Sequence, residues 1–305
     1  MTETLVEAAR AGDTRSIARI ITAVEDRTDV GRSLAAELFT KGGSAHLTGI
    51  TGAPGAGKST LVSELIPYLA GDGRMAVVAI DPSSPFTGGA ILGDRVRMGS
   101  HTSNDRVFIR SLANRGSLGG ISDTTPAVAA ALDGLGFEEV LIETVGVGQS
   151  EVEIASAANT TVVVVSPGWG DSVQASKAGL LEIADVFVVN KADRAGADVT
   201  VDDLKAMIAM GPVCEWTPPV VRTCAIDGTG VEELFSEIRS HRDHLAASGE
   251  LEVRVQRRAA AQLSAAVHER ALTASDTVAD DGLVDRIARR EIDPWSAAAS
   301  VLRGI

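Results

Sequence analysis

A glycine-rich octapeptide, residues 52–59, has the residue types and the spacing of a phosphate-binding loop. Its glycines permit a tight turn in which several backbone N–H groups converge on one phosphate, and Lys58 adds a positive charge. The hydroxyl of Ser59 is suited to bind Mg²⁺. An apolar segment precedes the loop and a helical pattern follows it, which is the context that such a loop requires. We therefore predict that nucleotide phosphates bind to Gly52, Ala53, Pro54, Gly55, Ala56, Gly57, Lys58, Ser59 and Thr60.

Two apolar segments after this loop end in a carboxylate. Asp81 closes residues 75–81 and opens a stretch rich in proline, serine and glycine, and Glu143 closes residues 139–143. An apolar strand that ends in an acidic residue is the pattern that holds Mg²⁺ in P-loop enzymes. We therefore predict direct or water-mediated contact between Mg²⁺ and these two carboxylates. The backbone N–H of Gly146 is expected to meet the γ-phosphate.

The residues at positions 190–193 read Asn-Lys-Ala-Asp and follow a further apolar segment. This is the N-K-x-D pattern that reads guanine. The carboxylate of Asp193 can accept two hydrogen bonds, from the N1–H and the 2-amino group of guanine, and adenine lacks that pair of donors. Asn190 and Lys191 are expected to shape and support the base pocket. The sequence therefore predicts GTP and GDP as the bound nucleotides.

Two positions depart from the usual pattern of guanine-nucleotide enzymes. Val147 stands where a Ras-type enzyme has a glutamine that orients the attacking water, and Gln149 is two residues out of register. An aliphatic side chain cannot position water, so we expect slow hydrolysis unless a partner or a rearrangement supplies the missing group. Cys224 replaces the usual serine of the last base-contacting loop, where it and Ala225 are expected to meet the base. The candidates for the missing catalytic group are Lys177, Arg95 and Arg97.

Apolar, strand-like segments alternate with helical patterns from residue 46 to about residue 244. Near-continuous apolar strands separated by crossover helices predict a mainly parallel P-loop NTPase sheet of the α/β class, with helices on both faces. Ligands bind beyond the carboxyl ends of the strands in such sheets. The predicted strands are 46–51, 75–81, 107–111, 139–143, 160–166, 185–190 and 219–223.

Helical patterns flank this alternation on both sides. Residues 1–44 are predicted to be a helical N-terminal extension packed on the nucleotide domain, with Asp13 or Thr14 capping its second helix. The nucleotide domain is predicted to span residues 45–244. Residues 245–305 are predicted to form helices that cannot close a core of their own. Those helices must cover the nucleotide domain or pair with a second subunit, and we expect them to form a homodimer.

Composition narrows the range of partners and compartments. The 305-residue chain has a formal net charge of −13 and no basic run, which argues against broad binding of nucleic acid or of an anionic membrane. Its first residues do not have the pattern of a secretory signal, and no segment approaches the ~20 apolar residues of a membrane span. The two cysteines do not make a disulfide framework. We therefore expect a cytoplasmic protein.

Three longer strings closely resemble the MeaB/ArgK/MMAA family of G3E GTPases. They are residues 49–60, 81–89 and 143–151, and the resemblance covers nearly the whole chain. It implies a GTPase that acts as a chaperone of adenosylcobalamin-dependent methylmalonyl-CoA mutase and forms a homodimer through a helical arm. It also implies that GTP hydrolysis times the loading of adenosylcobalamin and that the chaperone protects the mutase from inactivation.

The same resemblance implies roles for individual residues. Asp94 joins Ser59, Asp81 and Glu143 as a residue of the metal site. Residues 167–177, which include Lys177, resemble a switch segment that passes the nucleotide state to the mutase. The catalytic residues expected on this basis are Lys58, Asp81, Glu143 and Lys177.

Other functions stay open at this stage. One is a kinase of an amino-acid (LAO/AO) transport system, which would need a phosphoacceptor and tolerance of ATP, whereas Asp193 argues for GTP. Another is metal delivery, as in other G3E members, but the sequence has no His- or Cys-rich tract. A nucleotide-dependent scaffold without turnover fits Val147. The client is also open, because other cobalamin-dependent acyl-CoA mutases are related to methylmalonyl-CoA mutase.

Overall fold

The structure is a computed structural model that describes residues 2–81, 104–113, 124–144, 150–168, 174–212, 214–278 and 281–302. The chain divides into two compact units. The first runs to Leu251, and the second begins at Glu252.

The first unit is built around a parallel β-sheet. Within the described residues the sheet has seven strands in the order β3-β2-β4-β1-β5-β6-β7. All the predicted strands are present, and their ends differ from the predicted ends by two residues at most. The prediction of a parallel α/β sheet is therefore confirmed. The strands are β1 (His46–Gly52), β2 (Met75–Asp81), β3 (Val107–Ala113), β4 (Glu139–Glu143), β5 (Thr160–Val165), β6 (Val186–Asn190) and β7 (Val220–Thr223).

Helices cover both faces of this sheet. Successive strand residues point to opposite faces, so Val162 packs in a different apolar cluster from Val163. Helices α4 and α9 pack on the first of these faces. The helices of this unit are α1 (Thr2–Arg10), α2 (Thr14–Glu25), α3 (Asp29–Phe39), α4 (Lys58–Ala70), α5 (Thr125–Gly134), α6 (Ser150–Ala157), α7 (Gln174–Ile183), α8 (Ala197–Met210) and α9 (Val231–Ser248).

The helices predicted before residue 44 share a core with the sheet. Asp13, one of the two predicted caps, accepts a hydrogen bond from the backbone N–H of Ser16 at 2.8 Å and starts α2. Ile20 and Ile21 of α2 are fully buried in the same apolar cluster as Ile80 of β2. These helices therefore pack on the sheet as part of the first unit.

The second unit is helical where it is described. Helix α10 (Glu250–Val278) begins at the end of the first unit, and α11 (Asp281–Ala288) and α12 (Pro294–Leu302) follow. Asp293 caps α12 by accepting hydrogen bonds from two backbone N–H groups, each at 3.0 Å. The Ser296 hydroxyl and these backbone groups lower the pKa of its carboxyl. None of the described helices is long and apolar enough to cross a membrane.

A polar network lies at the amino ends of the strands. The Oγ1 of Thr160 lies 2.8 Å from Nε2 of His46 and 2.9 Å from Nδ1 of His241, and Nε2 of His241 lies 3.3 Å from Asp185. Within the described residues, no group of His, Cys, Asp and Glu side chains is arranged to hold a metal ion. The two histidines connect strands β1 and β5 to helix α9 through Thr160.

Glu139 lies at the same amino-terminal edge, beside a cavity of about 460 Å³. Burial raises the pKa of its carboxyl to about 7, although the ion pair with Arg242 acts in the opposite direction. An acid with a raised pKa in the folded state stabilises the fold while it is protonated. That contribution is complete below the ordinary value of 4.5 and is lost as the pH rises through about 7.

We predict that Glu139→Gln removes this pH-dependent loss of stability. The amide mimics the protonated acid, so the variant should melt about 2–6 °C above the parent at pH 8.5 and close to it at pH 5. Thermal unfolding across this pH range measures the difference. The exposed Glu215 provides the control Glu215→Gln, which also removes one carboxylate charge but does not lie among the groups that shift the pKa of Glu139. For this control the difference should not change with pH. A melting difference for Glu139→Gln that is the same at both pH values would contradict the prediction.

Candidate nucleotide site

The predicted site residues meet at the carboxyl edge of the sheet. Strand β4 lies between β1 and β2, and Glu143 is level with Ile50 of β1 and with Ala79 of β2. Asp81 lies two residues beyond Ala79, and side chains two residues apart in a strand point to the same face. The phosphate loop after β1 and the two carboxylates therefore share one edge and one face.

The phosphate loop requires glycine at two described positions. Gly52 has φ +135°, and a Cβ at this position would lie 1.9 Å from the carbonyl oxygen of Val164. Gly57 has φ +94°, and a Cβ there would lie 2.4 Å from Nδ2 of Asn190. Both clashes exclude any side chain. The loop leads directly into α4 at Lys58, so the positive end of the helix dipole faces it.

The ammonium group of Lys58 is held inside the curve of this loop. Its Nζ donates to the carbonyl oxygens of Gly52 at 2.8 Å and Ala53 at 3.1 Å, and the side chain is buried. A buried cation next to backbone N–H groups and a helix N-terminus favours an anion. The arrangement is therefore chemically suited to a phosphate group.

The candidate metal ligands lie together where the loop enters α4. The Oγ of Ser59 donates to Oε1 of Glu143 at 2.6 Å, and both side chains are buried. Asp81, at the end of β2, is 1% exposed. Mg²⁺ in such enzymes needs only one or two protein carboxylates, because phosphate and water complete its octahedral shell. A hydroxyl beside a carboxylate fits this donor set.

Asn190 of the N-K-x-D sequence connects three loops. Its Nδ2 donates to the carbonyl oxygen of Ala56 at 2.8 Å. Its Oδ1 accepts from the backbone N–H of Ala225 and from the hydroxyl of Thr223, both at 3.1 Å. The side chain is 2% exposed. The predicted base motif is therefore bonded both to the phosphate loop and to the predicted last base-contacting loop.

Lys191 adds a second link between the base motif and the phosphate loop. Its backbone has φ +59°, and its Nζ donates to the carbonyl oxygen of Gly55 at 2.5 Å. Asp193 is exposed two residues later. Its carboxylate is therefore accessible to a base.

Cys224 lies beside this carboxylate. Burial raises the pKa of the Cys224 thiol, and hydrogen bonds to the carboxylates of Asp227 and Asp193 act in the same direction. The backbone N–H of Cys224 donates to the carbonyl oxygen of Thr229 at 2.9 Å. The loop after β7 and the last residue of the N-K-x-D sequence therefore lie side by side, as their predicted contact with one base requires.

Some predicted residues lie outside the described part of the chain. Asp94 and Gly146 are among them, as are Arg95, Arg97 and Val147. Lys177 lies in α7, but its side chain is not described. Their predicted roles stay predictions.

A threonine pair at this edge was not predicted. The hydroxyl of Thr144 donates to the hydroxyl of Thr51 at 2.9 Å, and both residues are buried. Thr51 precedes Gly52 and Thr144 follows Glu143, and both of these neighbours were predicted site residues. Adjacency to these motifs is the only signal in the sequence, because the pairing depends on which strands are neighbours.

The sequence comparisons identify relatives along nearly the whole chain. Residues 17–280 match the family described as methylmalonyl Co-A mutase-associated GTPase MeaB. A Pyrococcus abyssi protein named as a GTPase is 42% identical over 316 residues, which cover 100% of this chain and 97% of the relative. GTPase ArgK of Escherichia coli is 35% identical over 254 residues, covering 80% of this chain and 76% of ArgK.

Two further similarities differ in what they show. The mouse mitochondrial protein named methylmalonic aciduria type A homolog is 37% identical over 217 residues, covering 68% of this chain and 52% of that protein. The crystal structure of an LAO/AO transport system kinase matches with a TM-score of 0.73 and 23% identity, covering 99% of this chain and 96% of that chain. The second similarity shows the fold alone. The family match and the sequence identities confirm the resemblance found in the three strings, and the chain belongs to the MeaB family of GTPases.

Proposed function

We propose that this GTPase binds GTP with Mg²⁺ at the carboxyl edge of its sheet and uses GTP hydrolysis to control the loading of adenosylcobalamin into methylmalonyl-CoA mutase. The observation that carries the nucleotide assignment is the set of hydrogen bonds made by Asn190, which joins the phosphate loop to the base motif. The mutase assignment is supported by the family description, which names a mutase-associated GTPase.

Phosphate binding rests on Lys58 and the first turn of α4. The carbonyl oxygens of Gly52 and Ala53 hold the ammonium group, so it is already oriented into the loop. We propose that the β- and γ-phosphates replace part of this contact and meet the backbone N–H groups of residues 55–60. A preoriented charge costs little reorganisation when the anion arrives.

Mg²⁺ would be held by the Ser59 hydroxyl together with Glu143 and Asp81, directly or through water, and Asp94 is proposed as a further carboxylate. When bound, the ion neutralises charge that develops on the phosphates. The Ser59–Glu143 hydrogen bond supports this assignment, because it places a hydroxyl and a carboxylate oxygen 2.6 Å apart.

Guanine selection is proposed to come from Asp193. Its carboxylate would accept from the N1–H and the 2-amino group of guanine, while Cys224 and Ala225 close the pocket through their backbone. Asn190 and Lys191 are hydrogen-bonded to the phosphate loop and would support the pocket. We therefore assign base specificity to Asp193 and the geometry of the phosphate loop to Asn190 and Lys191.

We predict that Asp193→Asn weakens GTP binding by about 100-fold and strengthens binding of xanthosine triphosphate. The amide loses one acceptor for guanine but gains an N–H that can donate to the C2 carbonyl of xanthine, and a charged hydrogen bond is worth about 1.5–3 kcal/mol. Titration with fluorescent analogues of both nucleotides measures the exchange. Asp202→Asn on the exposed side of α8 is the matched control. Unchanged GTP affinity in Asp193→Asn would refute the base assignment.

The proposed client predicts a change in turnover. The purified protein should hydrolyse GTP slowly, and methylmalonyl-CoA mutase from the same organism should accelerate it by about tenfold or more, as partners do for other slow GTPases. Single-turnover phosphate release measures both rates. Lys58→Ala is the control, because it should abolish the accelerated rate. Tight GTP binding without acceleration would contradict the choice of client and leave another acyl-CoA mutase as the candidate.

The helical arm, residues 245–305, is proposed to form a homodimer. Leu263 and Val267 are one helical turn apart on α10 and are 67% and 60% exposed. Large exposed apolar side chains that share one helix face are suited to pack against another subunit.

We predict that the Leu263→Asp and Val267→Asp double variant is monomeric, because charges at the centre of an apolar interface are costly to bury. Multi-angle light scattering measures the mass. Arg257→Glu on the same helix adds the same amount of negative charge and controls for the change in charge. A parent protein that is itself monomeric at micromolar concentration would refute the dimer.

A further inference from the structure

The threonine pair Thr51–Thr144 lies where two functional segments leave the sheet. Thr51 precedes Gly52 of the phosphate loop, and Thr144 follows Glu143 of the proposed metal site. Thr51 is 0% exposed and Thr144 is 1% exposed, and their hydroxyl oxygens lie 2.9 Å apart. The pair therefore joins the starts of both segments inside the protein.

Strand β1 is held differently on its two sides. Toward β5, the parallel pairing continues through Gly52, which is level with Val164. Toward β4, the pairing ends at Ile50 and Glu143, and one further bond runs from the N–H of Thr144 to the carbonyl oxygen of Ile50 at 3.0 Å. Beyond that bond, the threonine hydroxyls make the contact between the two strand ends in the described residues.

The end of β4 is also held from both faces. Successive side chains of a strand point to opposite faces, so Glu143 and Thr144 leave β4 in opposite directions. Glu143 accepts the hydrogen bond from Ser59 of α4 on one face. Thr144 donates to Thr51 on the other face. Two bonds on opposite faces resist rotation of the strand end about its own axis, and that rotation would move the Glu143 carboxylate.

We propose that the Thr51–Thr144 hydrogen bond positions the Glu143 carboxylate against Ser59 for Mg²⁺ binding. This inference rests on the proposed nucleotide function and assigns the threonines a role that acts through Glu143. Valine has the shape of threonine and would fill the same space, so packing alone does not require hydroxyls at these positions. A hydrogen bond between two hydroxyls depends on angle and therefore fixes the relative orientation of the two strand ends, whereas an apolar contact does not.

The test uses Thr51→Val, Thr144→Val and the double variant in the full-length protein. The measured quantity is the Mg²⁺ concentration that half-maximally slows release of fluorescent GDP, which does not depend on hydrolysis. We expect each single variant to raise this concentration about fivefold, since losing the net contribution of one hydrogen bond has an effect of that order. GDP affinity in excess EDTA should stay within about twofold, because phosphate-loop and base contacts do not depend on the metal.

The double variant separates positioning from packing. Removing both hydroxyls leaves no buried orphan, so its melting temperature should recover above those of the single variants. Its Mg²⁺ requirement should stay raised, because the directional link is still absent. Thr144→Ser, which keeps the hydroxyl, should restore the parental Mg²⁺ requirement.

Thr48 of β1 provides the matched control. It is buried in the same strand, and its hydroxyl makes no hydrogen bond in the described part of the chain, so Thr48→Val should leave the Mg²⁺ requirement unchanged. A parental Mg²⁺ requirement in Thr144→Val would overturn the inference, as would a requirement that recovers in the double variant together with the melting temperature. A parent protein that binds GDP without any effect of Mg²⁺ would instead refute the proposed metal site, and the inference with it.

Discussion

The geometry of the site depends on one buried amide, the side chain of Asn190. Its N–H donates to the carbonyl oxygen of Ala56, and its oxygen accepts from Thr223 and from the N–H of Ala225. An amide has both a donor and an acceptor end, so one residue can fix the phosphate loop and the loop after β7 relative to each other. Leaving such a group unpaired when buried costs about 1–3 kcal/mol. Asn190 therefore fixes the two loops relative to each other, so the proposed phosphate contacts and the proposed base contacts depend on the same hydrogen bonds.

The strand order determines which carboxylates lie beside the phosphate loop. Because β4 lies between β1 and β2, a carboxylate at its end is adjacent to the phosphate loop on one side and to Asp81 on the other. Face alternation then separates two tasks within two consecutive residues. Glu143 meets Ser59, and Thr144 meets Thr51. A one-residue shift in the pairing of β4 would exchange these faces and separate Glu143 from α4, so the register of this strand is a constraint on the chemistry.

The sequence was sufficient for the strands and for the residues at their carboxyl ends. Runs such as residues 186–189 are continuously apolar because both faces of the sheet are covered, and that pattern distinguishes them from the amphipathic helices. Asp13 was one of two candidates for the cap of α2, because a short side chain that accepts hydrogen bonds just before an apolar helical face is typical of a cap. The threonine pair and the partners of Asn190 were beyond prediction, because they join residues 93 or 134 positions apart through strand neighbours that spacing does not reveal.

If the proposed function holds, nucleotide binding depends on groups of this chain, whereas GTP turnover depends on a group that a partner contributes. Groups that would hold phosphate and metal are oriented by the chain's own hydrogen bonds: Gly52 and Ala53 orient Lys58, and Ser59 is bonded to Glu143. No comparable arrangement is expected for the attacking water, since Val147 has no group that can orient it. Nucleotide affinity then depends on the fold alone, whereas the rate of hydrolysis depends on what a partner contributes. A GTPase built in this way stays in its GTP-bound state until the client is engaged, which is the property that a loading step requires.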